Sequence, residues 1–483
     1  MTDNQGPEKN TETQVSSHAW LSLGIICGLA LATMYGETMV LPAIPDFIKD
    51  FGISYNTSSW ILSSYLIAGA VMTPIAGKLS DIYGRKKILL IVMMIYSAGI
   101  LAGGFANSLP FLLGARIAQG VGISMFPIAF GVVRDIFPIQ KLGMAQGIFT
   151  STFFGGSVIG LIAGAKIISD YGWHATFFSV FPIAIALAFI MNRFIKTKKP
   201  EHEDAIPGID IRGTVALSGT VILFLMGISF LQDISSGNLE PLAFFAGSAV
   251  SLIIFATIEK RVAHPLIDLK ILSDRVLLPS NVIMIIVGVS TFMVYQTIPI
   301  LVRSPAPLGF GGDVITVAEV QLPFMIVSLA VSAVGGFILA RVGNLNLTAL
   351  GATICTAGFF GILAFHHTEY AISATLAVIS VGLSFAIVGC FNIVLMSSPQ
   401  KVQGISLGMT VLLSLVGNSL GPSLAGMYQQ MYRGTILNVS GTFPSAQAYD
   451  QIFLTAALLS LVSVFLAVAL RKKMGTKASA ISG

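Results

Sequence analysis

Fourteen long apolar stretches, rarely interrupted by charge, run through this 483-residue chain. Each is long enough to cross a hydrocarbon layer, which takes roughly 20 residues of helix. Only helices and closed barrels satisfy their own backbone there, and the alternating pattern of barrel strands is missing. Composition agrees: 10% of residues are charged and mean hydropathy is +0.85, against about 25% charged in soluble domains. The expected fold class is therefore an all-α polytopic membrane protein. Its spans fall near 19–41, 56–76, 88–108, 110–131, 144–165, 173–194, 212–232, 240–258, 278–302, 316–340, 346–366, 371–396, 404–427 and 452–471.

Charge predicts the orientation. Of 27 Lys plus Arg, 22 lie in the two tails or in every second loop. The opposite loops hold few, among them Lys49, Arg303 and Arg433. The positive-inside bias then puts both termini in the cytoplasm, as an even span count also requires. Basic residues beside anionic lipid account for the net charge of +5 without nucleic acid. Cys27, Cys355 and Cys390 sit in apolar helices and read as small buried side chains. No metal or cofactor is expected.

The sharpest local signal is the turn Gly77-Lys78-Leu79-Ser80-Asp81-Ile82-Tyr83-Gly84-Arg85-Lys86-Lys87 between spans two and three. Gly77 and Gly84 permit close approach or unusual dihedrals. Asp81 can accept from a neighbouring helix N-terminus or pair with Arg85 or Arg134. Such contacts fit a latch that breaks when helices separate. They equally fit a charged turn that only fixes topology.

This turn resembles the G-x-L-x-D-x-x-G-R-K loop of the major facilitator superfamily of secondary transporters. The likeness extends through Arg116-Ile117-Ala118-Gln119-Gly120-Val121-Gly122 and Gly172-Trp173-His174-Ala175-Thr176-Phe177-Phe178. The segment His264-Pro265-Leu266-Ile267-Asp268-Leu269-Lys270 is similar to the fourteen-span drug:proton antiporter branch. The resemblance implies a major facilitator fold of two six-helix bundles with two additional central helices. The expected divisions are a tail (1–18), an amino-terminal bundle (19–194), a linker (195–211), the extra pair (212–258), a second linker (259–277), a carboxyl-terminal bundle (278–471) and a tail (472–483). It also favours the latch, formed by Gly77, Asp81, Gly84, Arg85, Lys86 and Arg134.

Arg116 lies in an otherwise apolar run, about 10 Å below the outer end of span four by helix rise. A buried arginine costs at least a few kcal/mol unless paired or hydrated, and Gln119 shares its face. Glu37 is the one acid of span one. A carboxyl between burial and an arginine can take up and release a proton, and a proton and a cationic guest can compete for it. The resemblance gives Arg116 a part in proton coupling. It places the family's acid at Gly36, so Glu37 is rotated by about 100° around the helix. Glu319 in span ten is the second in-membrane acid.

Spans five and thirteen both carry glycines at four-residue spacing: Gly156, Gly160 and Gly164, and Gly417 and Gly421 followed by Pro422. That spacing lets helices approach closely and suggests internal repetition. The family's antiporter signature has Pro and Gly where this chain has Leu161 and Ala165.

The expected mechanism is alternating access around a central cavity lined by Tyr35, Trp60, Tyr65, Gln119, Met125, Tyr295, Gln296, Phe385 and Asn392. Aromatic and Met surfaces suit lipophilic cations. The expected function is proton-coupled efflux of amphipathic or cationic organic compounds by a monomer in the cell membrane. Its partners are a small-molecule substrate, protons and membrane lipids. The alternatives are a proton-coupled or facilitative carrier of one cellular metabolite and a lipid-modifying membrane enzyme. The enzyme would need clustered His, Asp or Cys at one membrane face.

Overall fold

The computed structural model describes residues 16–195, 210–230, 239–262, 273–398, 403–437 and 439–481. The tail before residue 16, most of the 195–211 linker and the 264–270 segment lie outside them. Among the described residues, thirteen helices are long and apolar enough to cross a membrane. Span seven is a shorter apolar helix within Ile211–Ser229. The chain is a multi-pass membrane protein of the expected two-bundle kind.

Backbone chemistry sets the helix ends. Ser16 caps span one (Ser17–Thr38), its hydroxyl accepting from the Ala19 amide. Pro42 starts a 3-10 turn, and a short helix, Ile44–Phe51, ends on Gly52 at φ 61°. Span two (Tyr55–Tyr83) and span three (Arg85–Gly104) meet at Gly84, whose φ of 93° favours glycine. Span four is broken: Leu109–Gly120 and Met125–Ile136 flank a 3-10 turn over Val121–Ser124. There Gly120 abuts the Tyr65 carbonyl and Gly122 abuts the Tyr96 ring, so a side chain at either place would clash.

The packing repeats itself. In the first bundle, span one packs on spans five and six, span three on six, and span two on four. In the second, span nine packs on thirteen and fourteen, eleven on fourteen, and ten on twelve. The two bundles meet along two seams, span two against thirteen and span five against ten. The glycine ladders make this possible. Gly156, Gly160 and Gly164 abut the span-one backbone at Leu31, Tyr35 and Met39, while Gly417 and Gly421 abut span nine at Ile285 and Met293.

Spans seven and eight (Glu240–Glu259) pair with each other. Span seven buries Ala216, Leu217, Val221 and Leu225 against Ile67 of span two and Met409 and Leu412 of span thirteen. To the helical architecture the structure adds one ribbon, β1 (Arg433–Ile436) and β2 (Val439–Pro444), between spans thirteen and fourteen. It marks one end of the bundle, the hairpin end. The turn at Gly84 marks the other, the basic-loop end.

Candidate functional site

Arg116 is completely buried. Its Nε donates to the Ile61 carbonyl of span two at 3.1 Å. Its Nη1 donates to the Gly36 carbonyl of span one at 3.3 Å and to Gln119 Oε1 at 2.8 Å. The guanidinium lies 4.3 Å from the Tyr65 ring centre. Gln119 in turn donates to the Gly99 carbonyl of span three at 2.8 Å. One guanidinium thus ties spans one, two and four, with span three joined through Gln119. Arg116 Nη2 and the Tyr65 hydroxyl remain without a partner.

Glu37 stands beside this network without joining it. No described residue hydrogen-bonds or ion-pairs with its carboxyl, although it lies within electrostatic reach of Arg116, Tyr65, Tyr96 and Tyr295. Tyr295 belongs to span nine, so that reach extends to the second bundle. Gly36 explains the acid's rotated position. A side chain there would collide with the Tyr96 hydroxyl, which donates to the Ala32 carbonyl at 2.7 Å.

The remaining expected cavity residues scatter. Tyr35 bonds Ser179 of span six at 3.1 Å, within its own bundle. Met125 sulfur accepts from Thr33. Trp60 packs where span seven covers the two–thirteen seam. Tyr295 contacts the rings of Phe292 and Phe324. Gln296 is fully buried with neither amide atom partnered. Asn392 donates to its own helix at Val388, and Phe385 is buried in span twelve. Glu319 is exposed near the start of span ten, whereas Glu37 is partly buried and Arg116 fully so.

At the basic-loop end, Arg85 donates to the Gly131 carbonyl at 2.6 Å and pairs with Asp135. Lys86 donates to the Asn192 carbonyl at 2.6 Å. These bonds join spans three, four and six inside one bundle. Arg134 is exposed, and the Asp81 side chain lies outside the described residues. Gly77 corrects the expectation of a close approach: a side chain there meets nothing within 4 Å. The glycine that carries the contact is Gly131, whose Cβ would lie 2.6 Å from Arg85 Nε. Neither Gly131 nor Asp135 is singled out by sequence, because nothing local in span four shows that Arg85 lies over them.

At the hairpin end the bundles are joined directly. Arg303 grips Asp46 at 2.6 and 2.7 Å and reaches the Pro42 carbonyl at 3.4 Å. Tyr55 donates to the Thr442 carbonyl of the ribbon, and Ser63 to the Ser419 carbonyl. A cleft of about 360 Å³ lies beside Asp46, Asp50, Trp173, Arg303 and Asp313. In the second bundle a smaller cavity of about 70 Å³ opens where spans nine, twelve and thirteen meet. Among the described residues, no group of His, Cys, Asp and Glu could hold a metal.

The sequence profile of the Major Facilitator Superfamily matches residues 26–422. The chain belongs to that superfamily. This facilitator is 27% identical over 355 residues to Multidrug resistance protein 3 of Bacillus subtilis, covering 73% of this chain and 67% of that one. It is 26% identical over 413 residues to the Tetracenomycin C resistance and export protein of Streptomyces glaucescens, covering 84% and 74%. It is 26% identical over 440 residues to the Multidrug efflux pump LfrA of Mycolicibacterium smegmatis, covering 89% and 85%. Among solved structures, the facilitator overlays the human organic anion transporter MFSD10 with a TM-score of 0.65 at 13% identity, covering 93% and 99%. It overlays the POT family transporter PepTSo with a TM-score of 0.65 at 14% identity, covering 94% and 98%. These overlays fix the fold. The facilitator is a membrane-embedded secondary transporter of small molecules, with the fold of a carrier rather than of an enzyme.

Proposed function

We propose that the protein exports amphipathic or cationic organic compounds in exchange for protons, with the basic-loop end and both termini in the cytoplasm. The observation that carries this reading is the separation of Glu37 from Arg116. Backbone carbonyls and Gln119 engage Arg116, so the acid is not clamped by its nearest cation. A carboxyl in this position can hold either a proton or a cationic guest. The relatives named for drug resistance and efflux support export.

In this reading the structure represents a state closed at the hairpin end, through Asp46–Arg303 and Tyr55–Thr442. Rocking along the two seams then exposes Glu37 alternately to the two sides. Arg85 and Lys86 brace one bundle as a rigid unit.

A second reading, carriage of one cellular metabolite, is favoured by span five. It runs unbroken over Ile139–Tyr171, with Leu161 and Ala165 buried in place of the antiporter Pro and Gly.

Purified protein in proteoliposomes with an imposed pH gradient separates the readings. Gradient-driven ethidium flux, lost in Glu37→Gln, is the expected result. Flux indifferent to the gradient overturns proton coupling. Counterflow with a metabolite but with neither ethidium nor tetraphenylphosphonium selects the second reading.

A further inference from the structure

We propose that Tyr65 is a further coupling residue: its hydroxyl, together with Arg116 Nη2, receives the Glu37 carboxylate when that acid gives up its proton. This rests on the proton-exchange reading above and adds where the exposed charge goes.

The titratable groups around Glu37 are Arg116 of span four, Tyr35 of its own span, and Tyr65, Tyr96 and Tyr295. Three of these tyrosines have occupied hydroxyls. Tyr35 bonds Ser179 at 3.1 Å, Tyr96 donates to the Ala32 carbonyl at 2.7 Å, and Tyr295 turns to the Met325 sulfur at 3.9 Å. The Tyr65 hydroxyl has no partner. Tyr65 is also fully buried, so bulk water does not serve it and its partner must come from the protein. A buried hydroxyl left alone is rare in a folded chain and needs an explanation.

Arg116 is incomplete in the same way. Its Nε and Nη1 are engaged, and its Nη2 is not. The guanidinium bridges span one at Gly36 and span two at Ile61, about one helical turn before Tyr65. Glu37 follows Gly36 directly. Of the groups whose charge acts on Tyr65, Glu37 acts most strongly, ahead of the guanidinium 4.3 Å from its ring centre. The Glu37 carboxyl is therefore the group placed to use both idle donors.

Protonation explains why they are idle. A protonated carboxyl is neutral and needs no cation, whereas a carboxylate only accepts and is held best by charge-assisted bonds. Glu37 is partly exposed, so its side chain has room to turn. When the proton passes to water, the carboxylate swings onto Arg116 Nη2 and the Tyr65 hydroxyl, and two new hydrogen bonds stabilise its charge. A returning proton, or a cationic guest, draws it off again.

The test follows the Glu37 proton by infrared spectroscopy of purified protein from about pH 5 to pH 9, a range in which a buried carboxyl can titrate. The protonated-carboxyl stretch that is missing in Glu37→Gln reports this proton. Tyr65→Phe keeps the ring beside Arg116 and removes one donor. Its titration midpoint should lie about one pH unit above wild type, the effect of one hydrogen bond to a charged group. Tyr96→Phe, whose hydroxyl is committed to Ala32, should move the midpoint by less than half as much. A titration equal in wild type and Tyr65→Phe overturns the inference alone. So does an equal shift in Tyr96→Phe. Absence of any titrating Glu37 band sinks the proton-exchange reading and this inference with it. Thermal unfolding checks for a merely structural role. With no bond to lose, Tyr65→Phe should not lower the unfolding midpoint in acid, and a clear drop there marks a satisfied structural hydroxyl and overturns the inference.

Discussion

Arg303 holds Asp46 with both terminal nitrogens, at 2.6 and 2.7 Å, and so fastens the start of one bundle to the end of span nine in the other. Both side chains are less than a quarter exposed. A two-pronged guanidinium–carboxylate contact of this kind is among the stronger hydrogen-bonded pairs.

Removing it should unseat the closed hairpin end. The bonds are worth about 1.5–3 kcal/mol, enough to shift a two-state balance about tenfold or more. A cysteine at Tyr295, buried in span nine below Arg303, should react with a membrane-impermeant maleimide about tenfold faster in Arg303→Ala. The double reversal Asp46→Arg with Arg303→Asp should bring the rate back. An unchanged rate in Arg303→Ala would show that the pair does not hold this end shut.

The glycine ladder should be intolerant where Gly77 is not. At Gly160 a side chain would press on Thr38 and on the Tyr35 carbonyl at 2.7 Å. Forcing atoms into so tight a contact costs about 1–3 kcal/mol, so Gly160→Ala should lower the thermal midpoint by several degrees. Gly77→Ala meets open space and should change stability by less than about 0.5 kcal/mol. Similar losses at both positions would refute the close packing of spans one and five.

Arg116→Lys should behave as a severe change although it keeps the charge. An ammonium cannot reproduce the planar fork that serves Ile61, Gly36 and Gln119 at once. Thermal unfolding should show a loss of about 2 kcal/mol or more, from acceptors left without donors. Transport should fall about tenfold or more with it. Retention of both would mean that the carbonyls find other donors.

Asp313 supplies a pH-dependent cap. Its carboxylate accepts from the Thr316 amide at 2.8 Å and the Thr316 hydroxyl at 2.9 Å, and these bonds hold its pKa below the usual carboxylate value. A depressed pKa stabilises the fold above the unfolded-state value, and the benefit fades as pH falls through the folded-state pKa. Asp313→Ala should therefore cost about 1 kcal/mol at neutral pH. Its unfolding midpoint should converge on wild type in strong acid. A gap independent of pH would remove the charged cap from the explanation.

The helices were legible because hydropathy and proline or glycine punctuation act locally. Pro42, Gly52 and Gly84 end or bend the chain where their backbone preferences demand. Arg116 was legible as buried because an arginine in an apolar run is conspicuous, and Gln119 was legible on its face, but the Ile61 and Gly36 carbonyls lie 55 and 80 residues away and no local pattern names them. Arg303 read as an ordinary loop charge, since its partner is 257 residues distant. The two hydroxyls at Thr291 and Thr297 look equivalent in sequence. Only packing shows that one is satisfied and the other lacks a hydrogen-bond partner. The ribbon at 433–444 escaped because its residues form a short polar insertion without a clear alternating run.

Span seven lies in the groove between spans two and thirteen and buries its apolar side against both. The opposite groove, between spans five and ten, carries bare Ile148, Ile159, Ile162 and Ile326 on its outer flanks. The repeated halves would otherwise offer the bilayer two equivalent sides. Here protein covers one of them and leaves the other bare to lipid.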